Sequence, residues 1–188
     1  MGLDITAWSN LKRSEEQDES YDNNITMIWQ NTDFPDHCEL EEGYWEGTPL
    51  TRVHSFRAGT YSGYNEFRKT LTLCTLGVDH TTIWEAEDIY MNRPFFNLIN
   101  FSDCSGKIGP AYSEALFEDF RDNRDRFIRN LKQEIDFTKE TENPLAMEPE
   151  FILDLELSQD TIEYYIELYD NWMKAFELAK DDGIVEFG

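Results

Sequence analysis

Apolar and polar positions alternate with a period of two at the start of the chain and with a period near 3.6 further in, and these two rhythms outline the elements. Leu3, Ile5 and Ala7 alternate with Asp4, Thr6 and Trp8, which puts the apolar residues on one face of a first strand. Ile25–Trp29 reads as a second strand, and Val53–Arg57 as a short third. From Ser62, a suitable N-cap, Tyr64, Phe67, Leu71 and Cys74 recur at helical spacing, and Gly77 is a suitable stop. Residues 79–90 read as a turn followed by an extended segment around Ile83 and Trp84.

The strongest periodicity follows Pro110. Proline suits the first turn of a helix, where its missing N–H breaks no bond, and Gly109 can take the cap conformation before it. Leu116, Phe120, Phe127 and Leu131 then lie near one face, with Phe117, Ile128 and Ile135 beside them, a core-facing stripe. The outer face alternates sign: Arg121 with Asp125, Asp122 with Arg126, and Asp125 with Arg129. Such pairs support a helix by about 0.3 kcal/mol each and mark a solvated surface.

Further on, Phe151, Leu153, Leu155 and Leu157 alternate with Ile152, Asp154 and Glu156, the pattern of a half-buried strand. Asp160-Thr161-Ile162-Glu163 reads as a capping box that opens a last helix, whose apolar stripe runs from Ile162 to Ala179. After Gly183, Ile184–Phe187 is expected to return as an edge strand. Strands mixed irregularly with helices predict an α+β fold, a mixed or largely antiparallel sheet packed against three main helices. Residues 1–188 are expected to form a single acidic domain.

Composition excludes some classes. Hydrophobic residues at 40% and aromatics at 14% are too many for a disordered chain. No apolar run approaches the ~20 residues of a membrane span. The first residues carry no basic stretch followed by an apolar core, so no secretory leader is expected. Cys38, Cys74 and Cys104 are odd in number and widely spaced, which suggests reduced thiols in a cytoplasmic protein.

Charge changes the picture most. The formal net charge is −23, and it is unevenly spread. Residues 1–50 hold 12 acids and 2 bases, residues 51–110 hold 6 of each, and residues 111–188 hold 21 and 8. Such a surface repels nucleic acid and anionic membranes and attracts a basic partner. Direct binding to duplex nucleic acid or to a membrane is therefore not expected.

Candidate chemistry gathers in the charge-balanced middle, at two small-residue loops that each launch a helix. Tyr61, Ser62, Tyr64, Asn65 and Arg68 offer aromatic faces, polar edges and one cation. Ser102, Asp103, Cys104, Ser105, Gly106 and Gly109 precede a helix whose free N–H groups and positive dipole end can hold an anion. Together they form the predicted ligand-binding set, although Gly, Ser and Asp are also the ordinary residues of turns. The phosphate-loop pattern is absent, since Lys107 leads to Ile108. His37-Cys38 and Asp79-His80 are isolated pairs without a partnering His-x-x-x-His or Cys-x-x-Cys, so neither a metal nor a cofactor is expected. A thiol nucleophile would have to combine Cys104 with His54 or His80, and none of these carries a catalytic signature.

The opening Met1-Gly2-Leu3-Asp4-Ile5-Thr6-Ala7, the segment Tyr61-Ser62-Gly63-Tyr64-Asn65, the segment Asn100-Phe101-Ser102-Asp103-Cys104 with Ile108-Gly109, and the closing Ala175–Ala179 to Phe187 resemble a group of uncharacterised small proteins encoded by tailed phages and prophages. The resemblance brings no activity and therefore no catalytic residue. It implies an accessory phage protein working in bacterial cytoplasm, of a kind that often blunts host defences.

The first functional expectation is accordingly a non-enzymatic binding protein. Its carboxylates would occupy a basic, nucleic-acid-binding surface of a host factor as a DNA-like decoy. The alternative is a protein that binds or sequesters a small nucleotide-like signal through the two loops. A Cys104- or Asp103-dependent hydrolase ranks below both.

Overall fold

A computed structural model describes residues 2–15, 25–29, 31, 33–102, 104–132 and 157–188. In chain order the elements are β1 (Leu3–Trp8), β2 (Leu11–Arg13), β3 (Ile25–Ile28), a 3-10 turn at Pro35–His37, β4 (Gly43–Gly47) and β5 (Val53–Gly59). There follow α1 (Tyr61–Leu76), α2 (His80–Glu85), α3 (Glu87–Tyr90), α4 (Phe96–Ile99), β6 (Gly106–Ile108), α5 (Pro110–Leu131), α6 (Gln159–Ala179) and β7 (Ile184–Phe187). The fold is α+β with antiparallel sheets and three main helices, α1, α5 and α6. The expected strand at 151–157 lies outside the described residues, apart from Leu157, which packs half-buried against the core.

β1 is the strand around which the main sheet assembles. Its alternation buries Leu3, Ile5 and Ala7 completely, and both of its edges are used, one by β5 and one by β7. β7 in turn pairs with β6, giving the order β5-β1-β7-β6. The C-terminal strand is thus internal, not the edge expected. Its composition explains the place: Ile184, Val185 and Phe187 are all buried, which an edge exposed to water would not reward. A smaller sheet of order β2-β4-β3 adjoins it, with its own core of Leu11, Ile28, Cys38 and Ile184.

α6 lies on the main sheet and brings Trp172 to its centre. The indole meets Phe56 of β5 edge-on at 5.2 Å, Tyr64 and Phe67 of α1 at 5.5 and 6.4 Å, and Phe187 of β7 at 5.5 Å. α5 packs against α6 and α1, burying Leu116, Phe120, Phe127 and Leu131 in the same core as its periodicity requires. Arg124 of α5 forks onto Asp170 of α6 with two 2.8 Å bonds, and Arg121 takes Asp122 and Glu118. Arg121 thus takes these two neighbours rather than the expected Asp125.

Helix ends depart from expectation by local chemistry. Thr60, not Ser62, caps α1, its hydroxyl accepting from the Gly63 N–H at 3.0 Å. Gly77 ends it in the left-handed conformation at φ 74°, as expected. Ser158 caps α6, accepting from the Thr161 N–H, so the helix opens before the Asp160 box. Residues 79–90, expected to be a turn and an extended segment, are two short helices. Asp79 caps α2 through the Thr81 N–H, and His80 with Ile83 bury one side of the turn, a tertiary gain that overrides the strand preference of Thr and Ile.

The chain crossings are close. Asn10 N–H donates to the Asp181 carbonyl at 2.7 Å and Leu11 N–H to that of Asp182 at 2.9 Å, which clamps the β1–β2 turn onto the α6–β7 turn. At that contact a Cβ on Gly183 would collide with the Trp8 carbonyl oxygen. Gly183→Ala should therefore cost about 2–3 kcal/mol. Urea unfolding should show a lower midpoint at unchanged m-value, and an unmoved midpoint would refute this close approach.

Candidate functional site

The two loops are joined by a side chain. Arg68, one helical turn beyond Tyr64, points from α1 to the chain just before Ser102. Its guanidinium donates to the carbonyls of Ile99 at 3.1 Å and Phe101 at 3.2 Å, and to Asn65 Oδ1 at 3.1 Å. It also rests over the rings of Tyr64 at 4.7 Å and Trp84 at 5.3 Å. The planar fork reaches two carbonyls and a side-chain oxygen at once, which an ammonium does poorly.

That union places the expected ligand-binding residues unequally. Tyr64 and Arg68 are sealed inside, 0% and 4% exposed, Asn65 orients the guanidinium, and Tyr61 packs half-buried on the core. Ser62 is exposed, within 3.0 Å of the Thr60 hydroxyl. In the second loop, Ser102 Oγ accepts from the N–H groups of Cys104 and Ser105 at 3.3 and 3.2 Å, shaping a tight turn. Cys104 and Ser105 are exposed, and Asp103 lies outside the described residues. The Cys104 thiol has Ser102 and Ser105 hydroxyls for polar neighbours. Of its proposed bases, His54 stacks on Phe56 and His80 sits between Asp79 and Trp84. Among the described residues of the set, Ser62, Cys104 and Ser105 are the exposed side chains, and the Arg68 cation is not with them.

Gly106 and Gly109 serve the junction into α5. Gly106 has φ 138° and is already in β6, a strand within what reads as loop. Gly109 N–H donates to the His37 carbonyl at 2.7 Å, and a side chain there would strike Glu39. The anion expected at the start of α5 is the chain's own: Glu39 Oε1 accepts from the Tyr112 N–H at 3.3 Å. His37 stacks between Tyr112 at 4.4 Å and Phe101 at 5.5 Å, and burial lowers its pKa despite Asp36.

Sequence reasoning missed what guards this edge. Asn31 docks its amide on β6, accepting from the Lys107 N–H at 2.9 Å and donating to the Lys107 carbonyl at 2.8 Å. It imitates a neighbouring strand at an otherwise open edge. Lys107 itself is fully buried, ion-paired with Glu186 and lying 3.7 Å from the centre of the Trp29 ring. Its position beside Gly106 in a polar stretch gives no hint of burial.

Electrostatics sort the surface. Lys12 pairs with Glu46, Arg13 with Glu41, Arg57 with Asp4, and Lys174 with Glu177. Adding Lys107, Arg121 and Arg124, many of the cations are held by carboxylates of the same chain. Exposed acids such as Asp160, Glu163 and Glu167 of α6 have no ion-pair partner within 4 Å among the described residues. No group of three or more His, Cys, Asp or Glu among the described residues is placed to hold a metal ion. Among those residues, too, no helix is long and apolar enough to cross a membrane. Cys38, Cys74 and Cys104 are all free thiols, and burial pushes that of Cys74 up to about 12.

One carboxylate outside the expected set is strongly shifted. Asp119 accepts from the N–H of Phe95, whose backbone is left-handed at φ 65°. Burial raises its pKa to about 6, opposed by that hydrogen bond and aided by the nearby charges of Asp122 and Glu118. No protein-family model, no curated protein and no solved structure matches this chain.

Two outcomes follow from these contacts. Arg68→Lys should destabilise the fold by about 2–3 kcal/mol, read by thermal and urea unfolding, and a neutral effect would show that the carbonyl clamp contributes nothing. Because the folded state binds the Asp119 proton more tightly than the unfolded chain, its stabilisation is full below about pH 4 and is lost as pH rises through about 6. Asp119→Asn keeps an acceptor for Phe95 and cannot ionise. It should match the parent near pH 4 and exceed it at pH 7.5, and parallel stability curves across that interval would contradict the assignment.

Proposed function

We propose that the protein is a non-enzymatic binding protein that covers a basic surface of a macromolecular partner with its own carboxylates. The observation carrying this reading is the division of charge. Many of the cations are held by carboxylates of the same chain or, at Arg68, by main-chain carbonyls, while exposed acids such as Asp160, Glu163 and Glu167 have no ion-pair partner within 4 Å among the described residues.

The N-terminal half of α6 presents this most plainly. Asp160, Glu163 and Glu167 are all exposed and recur at spacings that keep them on one side of the helix. Like charges held this way repel one another, so a cationic surface that neutralises them gains both attraction and relief. A row of fixed negative groups is also what a nucleic-acid-binding site is built to meet, through counterion release at each neutralised charge. The biological setting we propose is that of the phage accessory proteins which the chain resembles, with a host defence factor as the target.

Binding of this kind weakens steeply with salt. Pull-down from a bacterial host lysate should retain basic nucleic-acid-binding proteins at about 50 mM salt and lose them near 300 mM, and added duplex DNA should compete. Asp160→Lys with Glu163→Lys and Glu167→Lys should weaken capture about tenfold or more. Salt-insensitive capture, or none at low ionic strength, would overturn the proposal.

A further inference from the structure

The α2–α3 knuckle exposes apolar surface that the fold does not need. Its inward residues, His80, Ile83 and Tyr90, are 5%, 1% and 7% exposed and anchor it to the core. Its outward residues include Trp84, Ile89 and Met91, at 38%, 56% and 56%. Three large apolar side chains thus face water within one short stretch of chain, the kind of exposed apolar surface that interaction sites draw on.

Trp84 is held rigidly although it faces solvent. Its indole N–H donates to the Ile99 carbonyl at 3.1 Å. The Arg68 guanidinium lies against one part of the ring and the His80 ring meets it edge-on at 4.6 Å. An aromatic anchor fixed before binding loses little freedom when a partner arrives, which is the property of interface residues that dominate affinity. Next to it in the chain are Glu85, Glu87 and Asp88, all exposed and without an ion-pair partner within 4 Å among the described residues. A stretch that interleaves exposed apolar residues with acids selects a partner of inverse pattern.

We propose that this knuckle docks a protein segment whose apolar residues are flanked by lysine or arginine. The inference rests on the basic-partner reading above and adds to it a location and an apolar component. Charge brings the segment in, and Trp84, Ile89 and Met91 decide which basic segments stay.

The test uses the full chain and two capped synthetic peptides of equal length and charge, one alternating leucine with lysine in amphipathic order and one with serine in place of leucine. At about 50 mM salt the leucine–lysine peptide should bind about tenfold tighter or more. Ile89→Ser with Met91→Ser, both exposed and so without effect on the melting temperature, should abolish that preference and leave the serine–lysine affinity unchanged. Amide exchange should slow at residues 84–92 when the leucine–lysine peptide is bound. Equal affinity for the two peptides, a preference that survives the double substitution, or protection elsewhere would overturn the docking surface while leaving the basic-partner reading intact. Failure of both peptides to bind would overturn both.

Discussion

The burial of the Trp172 indole is the contact on which the architecture depends. It touches two strands of the main sheet and α1 while belonging to α6, so sheet and helices cannot move apart without exposing it. A buried aromatic of this size contributes about 3–5 kcal/mol against truncation, a large share of the margin of a single domain. The ring N–H has no hydrogen-bond partner among the described residues. Packing therefore outweighs a polar cost at the centre of the molecule.

Arg68 performs a related task where the helical layer meets the irregular chain. From α1 it takes the carbonyls that end α4 and precede the Ser102 turn, and it supports the ring of Trp84. One guanidinium thus fixes the position of α1, the Ser102–Gly109 segment and the α2–α3 knuckle relative to one another. The same commitment removes it from solvent and leaves a pocket-like use of that cation without a free donor fork.

The internal use of cations has a consequence outside. Ion pairs between exposed residues add little stability, about 0–1 kcal/mol each, but each ties a base to one particular acid, so that the net charge of −23 rests on the acids that remain. What reaches solvent is a molecule of strongly negative net charge whose exposed apolar side chains include Trp84, Ile89 and Met91 beside the acids of the α2–α3 knuckle. In the reading proposed above, steering falls to carboxylates and short-range selection to Trp84, Ile89 and Met91.

Much of the fold was legible in the residues because local periodicity and tertiary burial agree in it. The alternation of Leu3, Ile5 and Ala7, the stripe from Leu116 to Leu131, and Gly77 as a helix stop each depend on the chain within a turn or two of themselves. The candidate loops were legible only in part, since Tyr61 already belongs to α1 and Gly106–Ile108 form β6, and the acid surplus needs no structure at all. Short elements were not: His80–Tyr90 is helical because His80, Ile83 and Tyr90 find a core to enter, and no window of sequence contains that core. Position in the sheet was equally hidden, since β7 is internal by virtue of β1 and β6, which lie far away along the chain. The tertiary structure alone decided the fates of Arg68, Lys107, Asn31 and Glu39. A polar side chain's role is set by which carbonyl, N–H or ring comes within about 3–5 Å of it, and those partners are supplied by distant segments.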